Sequence, residues 1–421
     1  MKHYSFLLIL FMALCLSLGN GNKAQAGSLQ TRGVWVSCFE FEELGLKDKT
    51  EAQFRANANK IFATIRANGC NTVYFHVRAY DDAIYPSSVA GFSKYISSDG
   101  KAPGYDPLKI LVSLAHSHKL KIHAWMNPYR VSSTKILDPA SETTTVRIVN
   151  QVKEIINRYA VDGIHFDDYF YPGSGHKQYK KYASLSNKQK KANVNKMVQT
   201  VYGNIKAQNP NLLFGISPAG NVEYCESLGA DVKTWMKGPG YVDYIAPQIY
   251  WSNSYRVGKK TVRMFDNRFA KWKRLNKGNI PMYIGLALYR GGMKDASDRG
   301  WRKSKKIIAS QISKIRRSEK DVRRLRRGHG RGALPPERNP RQRALLAGGR
   351  RFGFRRERFS FGRNPDHGQL SWQGSHDGRI ATGYLESRFL YPRQAPLEFA
   401  RDLWRFWRNV CRPRPGRGET L

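Results

Sequence analysis

Acidic residues are scarce in this 421-residue chain: 32 Asp and Glu stand against 72 Lys and Arg, a formal net charge of +40. An imbalance of that size invites a nucleic-acid or membrane partner. The charge is not laid out as a binding face, however. Lysine is missing altogether after Lys320, where all 23 basic side chains are Arg, whereas up to that point Lys outnumbers Arg 33 to 16. Apolar periodicity collapses at the same place. An out-of-frame reading of a gene gives this switch, because Arg and Gly have many G/C-rich codons. Residues 321–421 are therefore read as an Arg-rich, frameshifted and poorly folded tail. A nucleic-acid arm would interleave stacking aromatics with its charges in compact motifs. Here Trp372, Trp404 and Trp407 are scattered, so no specific nucleic-acid partner is expected.

Cysteine is also sparse. Beyond Cys15, the chain has only Cys38, Cys70, Cys225 and Cys411, widely spaced and unpaired in pattern. That spacing excludes a disulfide framework and a zinc knuckle. Long apolar runs are lacking too. Phe6–Leu18 falls short of the roughly 20 residues that span a bilayer, and no later segment does better. With Lys2 and His3 ahead of it and Ala24-Gln25-Ala26 behind, the run reads as a secretion signal, residues 1–26, cleaved before Gly27. Leu14 before Cys15 is too bulky for a good lipoprotein site. The expected destination is the periplasm, cell envelope or extracellular space.

What is present suffices for a large core, with 41% hydrophobic and 12% aromatic residues. Continuous apolar runs at 33–37, 72–77, 120–126, 163–167, 212–217, 244–250 and 282–288 read as strands buried on both faces. Helical stripes separate them. Thr50 caps Phe54, Ala58, Ile61, Phe62 and Ile65, and Asp106-Pro107 opens Leu108, Leu111, Val112 and Ala115. Val152 to Tyr159, Val194 to Ile205, Phe265 to Trp272 and Ile308 to Ile315 continue the alternation. Seven strand–helix units predict an α/β fold, a (β/α)8 barrel over 28–320. Its eighth strand is lost to the tail. An open doubly wound sheet is disfavoured, because no Gly-rich turn follows the first strand.

Barrel active sites lie at the C-terminal ends of the strands, which nominates the polar residues just past each run. These are Glu40; Arg78 and Asp82; Trp125, Asn127 and Arg130; Asp167 and Asp168; Ser217 and Asn221; Gln248, Tyr250 and Trp251; and Tyr289 and Arg290.

Six of these segments also carry a resemblance. Arg32-Gly-Val-Trp-Val-Ser37, His76-Val-Arg78 with Asp82-Ala-Ile-Tyr85, and Ala124-Trp-Met-Asn-Pro-Tyr-Arg130 are three. Asp162-Gly-Ile-His-Phe-Asp-Asp-Tyr-Phe-Tyr-Pro172, Gly215-Ile-Ser-Pro218 and Pro247-Gln-Ile-Tyr-Trp251 are the others. Together, in order over about residues 28–320, they are similar to the glycosyl-hydrolase-like 10 family of bacterial envelope proteins. The resemblance implies a (β/α)8 barrel, export, and hydrolysis of glycosidic bonds, with peptidoglycan glycan strands a candidate substrate among other polysaccharides. It departs from the family where strand eight should stand.

Glycoside cleavage needs two carboxyls, one to protonate the leaving oxygen and one to attack or to activate water. Asp167 is the first candidate for nucleophile or base, because strand alternation sets His165, Asp167 and Tyr169 opposite Ile164 and Phe166. Asp168 replaces it if the strand has already ended. Glu40 and Asp82 compete as general acid, with Glu223 third. Arg78 would hold a carboxylate ionised. Arg78, Asn127, Arg130 and Gln248, with the aromatic faces of Trp125, Tyr169, Tyr250 and Trp251, would line a sugar groove. Tyr171 belongs with that aromatic set. His76, His123 and His165 recur on successive strands. They are read as buried, hydrogen-bonded histidines, a zinc-dependent hydrolase or deacetylase being the lesser alternative. No cofactor or metal is expected. A non-catalytic or disabled glycan-binding barrel is the main alternative to a glycosidase.

Overall fold

The structure, a computed structural model, describes residues 31–276, 280–303 and 306–329. The signal segment, the tail beyond His329 and Cys411 lie outside these residues. Six parallel strands stand in chain order in one sheet: β1 (Gly33–Val36), β2 (Thr72–Arg78), β3 (Lys121–Met126), β4 (Gly163–Phe166), β5 (Leu213–Ile216) and β6 (Tyr244–Ile245). A crossover helix follows most of them. α1 (Glu51–Ala67), α2 (Pro107–Ser117), α3 (Glu142–Arg158), α4 (Asn187–Gln208), α5 (Val222–Ser227), α6 (Met264–Asn276) and α7 (Ile307–His329) are the main ones.

The sequence signals for these helices hold in detail. Thr50 caps α1 through Gln53 in a reciprocal capping box, and Asp106 caps α2 with Pro107 in its first turn. Cys38, Cys70 and Cys225 are buried free thiols. Among the described residues, no helix is long and apolar enough to cross a membrane.

Two expected strands are shorter than their apolar runs. The sixth stops at Ile245, just ahead of Ala246-Pro247. The seventh forms no extended strand. It joins β6 through parallel bridges Ile245 to Met282 and Gln248 to Gly285. Pro247 and Pro281 have no N–H to give to a ladder, so pairing there is intermittent. Among the described residues there is no eighth strand. Past Lys320 the chain continues α7 as far as His329.

The two faces of the sheet bury different chemistry. Val73, Phe75, Val77, Ile122, Ala124, Met126, Ile164, Phe166, Phe214 and Ile216 pack under the helices. The concave face holds rings instead: Trp35, Tyr74, His76, His123, Trp125, His165 and Tyr244. Glycines make room for them. Gly163 is in register with His123, and Gly215 with Tyr244. A Cβ at Gly163 would come within 2.4 Å of the His123 ring, and one at Gly215 within 2.1 Å of the Tyr244 ring.

Four of these rings, Trp35, His165, Tyr244 and His123, form one hydrogen-bonded chain. Indole nitrogens only donate, so Trp35 Nε1 gives its proton to His165 Nε2 at 3.1 Å. A neutral His165 then donates from Nδ1 to the Tyr244 hydroxyl at 2.9 Å, which leaves that hydroxyl to donate to His123 Nδ1 at 3.0 Å. His76 stacks on Trp125, with centroids 3.9 Å apart. Burial lowers all three histidines, His76 to about 3 and His123 to about 4. They are the floor beneath the site.

Candidate active site

Strand β4 ends at Phe166 and delivers Asp167 and Asp168 to the C-terminal rim. Alternation predicts Asp167 on the concave side, and its partners agree. Asp167 Oδ1 accepts from Gln248 Nε2 at 2.8 Å and from the Asp168 main-chain N–H at 2.8 Å. Gln248 is fixed in turn by the Ser217 carbonyl at 2.9 Å. It stands where the chain past β6 bridges to Ala219. Both carboxyls are only 5% exposed.

Burial raises both acids above the ordinary carboxyl range, but unequally. For Asp167 the bonds from Asp168 and Gln248 and the charge of Arg130 pull back against desolvation. For Asp168 the charge of Asp167 adds to desolvation and pushes its carboxyl well up. Two like charges in contact away from water do not both ionise. Asp168 is therefore the member of the pair that gives up its proton last. Asp168 Oδ1 is buried with no hydrogen-bond partner among the described residues.

Around the pair stand aromatic rings. The Arg130 guanidinium lies 4.0 Å from the Tyr169 ring centroid and 5.0 Å from that of Tyr80. Tyr250 meets Tyr289 edge-on at 6.0 Å and feels the charges of both aspartates. On the α5 side, burial and the Asp168 charge push the Tyr224 hydroxyl up to about 12. Asp82 accepts from the Tyr80 main-chain N–H at 2.9 Å. Its charge and that of Arg130 both act on the Cys38 thiol.

Several expectations need correction. Arg78 does not hold the aspartates. The ladder between β2 and β3 slips between His76 and Arg78, so Arg78 pairs with Met126 instead of continuing the concave row. Such an irregularity re-aims a side chain. Arg78 is 2% exposed, 3.6 Å from Asp81 and beside Tyr85 and Glu154. Arg130 is the cation whose charge acts on the pair. Glu40 caps its own turn, accepting from the Ser37 main-chain N–H at 3.0 Å. Its carboxyl is raised by burial, and Glu43 is the charge that acts on it. Glu223, 60% exposed, is tied to Arg268 and Lys271 on the surface.

Trp125 is committed to His76, and Trp251 packs against Gly220 beneath the Arg268 guanidinium. Asn127 donates to the Ala79 carbonyl at 2.9 Å and tethers the β2 loop to β3, while its Oδ1 is buried without a partner among the described residues. Tyr171, Asn221 and Arg290 are also structural, bonded to Asn193, the α5 N-terminus and the Tyr250 carbonyl. Sequence reasoning missed Tyr80 and Tyr224. Tyr80 stands just past β2, where the rule that nominated Asp82 would have found it had aromatics been counted. Among the described residues, no group of three or more His, Cys, Asp or Glu converges as a metal site.

The chain is similar to known proteins. The family described as glycosyl hydrolase-like 10 matches residues 30–136 and 131–303. The glycosyl hydrolase YngK of Bacillus subtilis (strain 168) is 30% identical over 318 residues, 62% of this chain and 61% of that protein. The chain thus spans about three-fifths of that relative's length. The glycosyl hydrolase DigH of Escherichia coli (strain K12) is 32% identical over 348 residues, covering 66% and 77%. The glycoside hydrolase domain of PgaB (BpsB) from Bordetella bronchiseptica superposes with a TM-score of 0.49 at 12% identity, over 68% of this chain and 90% of that domain.

Proposed function

The chain belongs to the glycosyl hydrolase-like 10 family, and from that premise we propose that it is an exported glycoside hydrolase acting on a polysaccharide of the cell envelope or surroundings. Peptidoglycan glycan strands are the first candidate substrate. The observation that carries the reading is the buried Asp167–Asp168 pair, both carboxyls raised and Asp168 the more so, set at the strand ends beside Gln248 and Arg130.

Asp167 and Asp168 act directly on one another, whereas a separate nucleophile and acid flank a glycosidic bond from roughly 5 Å apart. The pair therefore works as one unit. Asp167 presents the negative charge to the anomeric carbon or to water, and Asp168 holds a proton that keeps its neighbour's charge localised. Asp82 is taken as the second, separate carboxyl, since its charge and that of Arg130 act on the same Cys38 thiol, whereas the charge acting on Glu40 is that of Glu43. Tyr169, Tyr250 and Tyr80 offer ring faces to sugars, with hydroxyls at their edges.

The test is release of reducing ends from peptidoglycan glycan strands and from other polysaccharides by the full chain. Asp167→Asn should reduce the rate by about a thousandfold with the thermal transition unchanged. Glycan binding without product release from the wild type would instead make the barrel a non-catalytic binder. Export is checked by sequencing the N-terminus of the secreted protein, which should begin at Gly27.

A further inference from the structure

The curled sheet stops one strand short of closing. β1 lies at one end of the strand order, and at the other end the 282–285 segment is bridged to β6. Rings bring the two ends round to the same space. Trp35 stacks on Tyr74 with centroids 4.3 Å apart, Tyr74 lies 6.3 Å from Tyr244, and Tyr244 lies 5.1 Å from Tyr283.

Both ends have main-chain groups aimed into the gap. The Thr72 N–H donates to the Arg32 carbonyl, so alternation turns Gly33 and Trp35 away from β2. Tyr283 and Gly285 donate to the Ile245 and Pro247 carbonyls, which turns Met282 and Ile284 away from β6. The main-chain groups of Gly33, Trp35, Met282 and Ile284 have no hydrogen-bond partner among the described residues. Burial agrees. Val34, Trp35, Met282, Tyr283 and Ile284 are only half-buried, whereas every residue of β2 is buried. Neither wall of the seam, 33–36 or 282–286, carries a charged side chain. Donors and acceptors on both sides of an uncharged seam fit one uncharged strand.

The chain itself holds the occupant. α7 packs on the barrel through Lys314, 2.6 Å from Asp266, and through Gln311, which donates to the Trp251 carbonyl at 2.9 Å. A right-handed crossover through α7 directs the chain that follows to the seam, parallel to β1. Residues 330–421 follow, and few of them are strand formers. Beyond His329 only four residues are Ile, Val or Thr. Val410 and Thr420 stand alone, but Ile380 and Thr382 share the run Ile380-Ala-Thr-Gly-Tyr-Leu385, which has neither charge nor Pro. Ala381 and Gly383 alternate with its larger side chains and leave room for the Trp35 and Tyr283 rings, as Gly163 and Gly215 do for His123 and Tyr244. We propose that residues 379–390 enter the seam as the eighth strand and close the barrel.

The proposal does not depend on the glycan-cleaving reading, and its test uses the full chain. Hydrogen exchange is read at the Trp35, Met282 and Ile284 amides, with Phe75 and Ala124 reporting the core. In the wild type the three edge amides should exchange at least about a hundredfold more slowly than in a chain lacking 379–390. Thr382→Pro, which takes one donor from the run, should release them with Phe75 and Ala124 still protected, and Thr382→Val should not. A synthetic 379–390 peptide should restore protection to the shortened chain, including at Phe75 and Ala124 if the core is lost with the strand. Removal of 341–352, a run of the same length, should change nothing. Edge amides that exchange freely in the wild type overturn the strand, and so does a peptide without effect. Protection that survives removal of 379–390 overturns it too, and a rise with protein concentration would then assign the seam to a second copy. Reducing-end release is followed alongside: a closed seam without cleavage defeats only the hydrolase, and cleavage with an open seam defeats only the strand.

Discussion

The side-chain amide of Gln248 stands 2.8 Å from Asp167 Oδ1, although 81 residues separate the two along the chain. A donor held at that distance favours the ionised carboxylate and opposes the rise that burial imposes. Because Gln248 also spans to the Ser217 carbonyl, its position is set by the rim between β5 and the bridged segment after β6. It is not set by the substrate.

Removing that donor gives the first prediction. In Gln248→Ala, Asp167 loses one stabilising bond of its anion, so its carboxyl rises further above the ordinary range. Activity that needs ionised Asp167 is then lost at higher pH on the acid side. The acid limb of kcat/KM should move to higher pH, with a smaller effect at the optimum. A limb that stays in place would show that Asp167 is not the group titrating there.

The pair also fixes the other limb. Activity requires Asp167 ionised and Asp168 protonated, so the pH profile should be bell-shaped. It falls on the acid side through the raised value of Asp167 and on the alkaline side through the higher value of Asp168. Asp167→Asn removes the charge that lifts Asp168. The Asp168 carboxyl should therefore titrate at lower pH in that variant, read by carboxyl-carbon NMR. An unchanged Asp168 titration would mean the two groups are not electrostatically joined.

How far the sequence predicts this site depends on the backbone. Asp167 is legible because β4 is regular and alternation carries through it from Ile164 to Phe166. Arg78 is not, because the same rule fails across the slip between His76 and Arg78, which is a property of pairing with β3 and leaves no mark in the residues themselves. Glu40 could have been recognised. Ser37-Cys-Phe-Glu40 has the spacing of a capping box, and the structure uses it as one. The apolar runs found β1 to β5 to within a residue or two, whereas Pro247 and Pro281 cut short the pairing that hydropathy predicts for the last two. Gln248 as the partner of Asp167 depends on closure between distant strands, which local pattern does not encode.

The histidine floor makes stability depend on acid. His76, His123 and His165 are depressed by burial, so the folded state takes up their protons later than the unfolded chain does. Above about pH 6.5 both states are neutral and nothing is lost. Below it the unfolded chain binds protons that the fold refuses, which costs about 1.4 kcal/mol per pH unit per histidine. For His76 the loss continues to about pH 3. The raised aspartates act in the opposite sense, so the comparison must be between variants. His76→Gln should flatten the slope of stability between pH 6 and 4 by about one proton's worth, measured by urea unfolding. An identical slope in both proteins would place a charged His76 in the folded state.

The last prediction concerns the glycine slots that let the concave rings close over one another. A Cβ at Gly215 would meet the Tyr244 ring at 2.1 Å, closer than real contacts allow. Tyr244 cannot step aside without breaking its bonds to His123 and His165. Gly215→Ala should therefore destabilise by about 3 kcal/mol, at the upper end of overpacking effects, and lower the thermal midpoint by several degrees. Gly203, within α4, offers the contrast, since a Cβ there meets nothing within 4 Å. Gly203→Ala should stabilise by about 0.5–1 kcal/mol through helix propensity alone. The two changes add the same methyl group, so opposite signs in calorimetry isolate the ring contact. A Gly215→Ala protein as stable as the wild type would mean that Tyr244 does not lie over Gly215, and the stacked floor beneath Asp167 would have to be rebuilt without it.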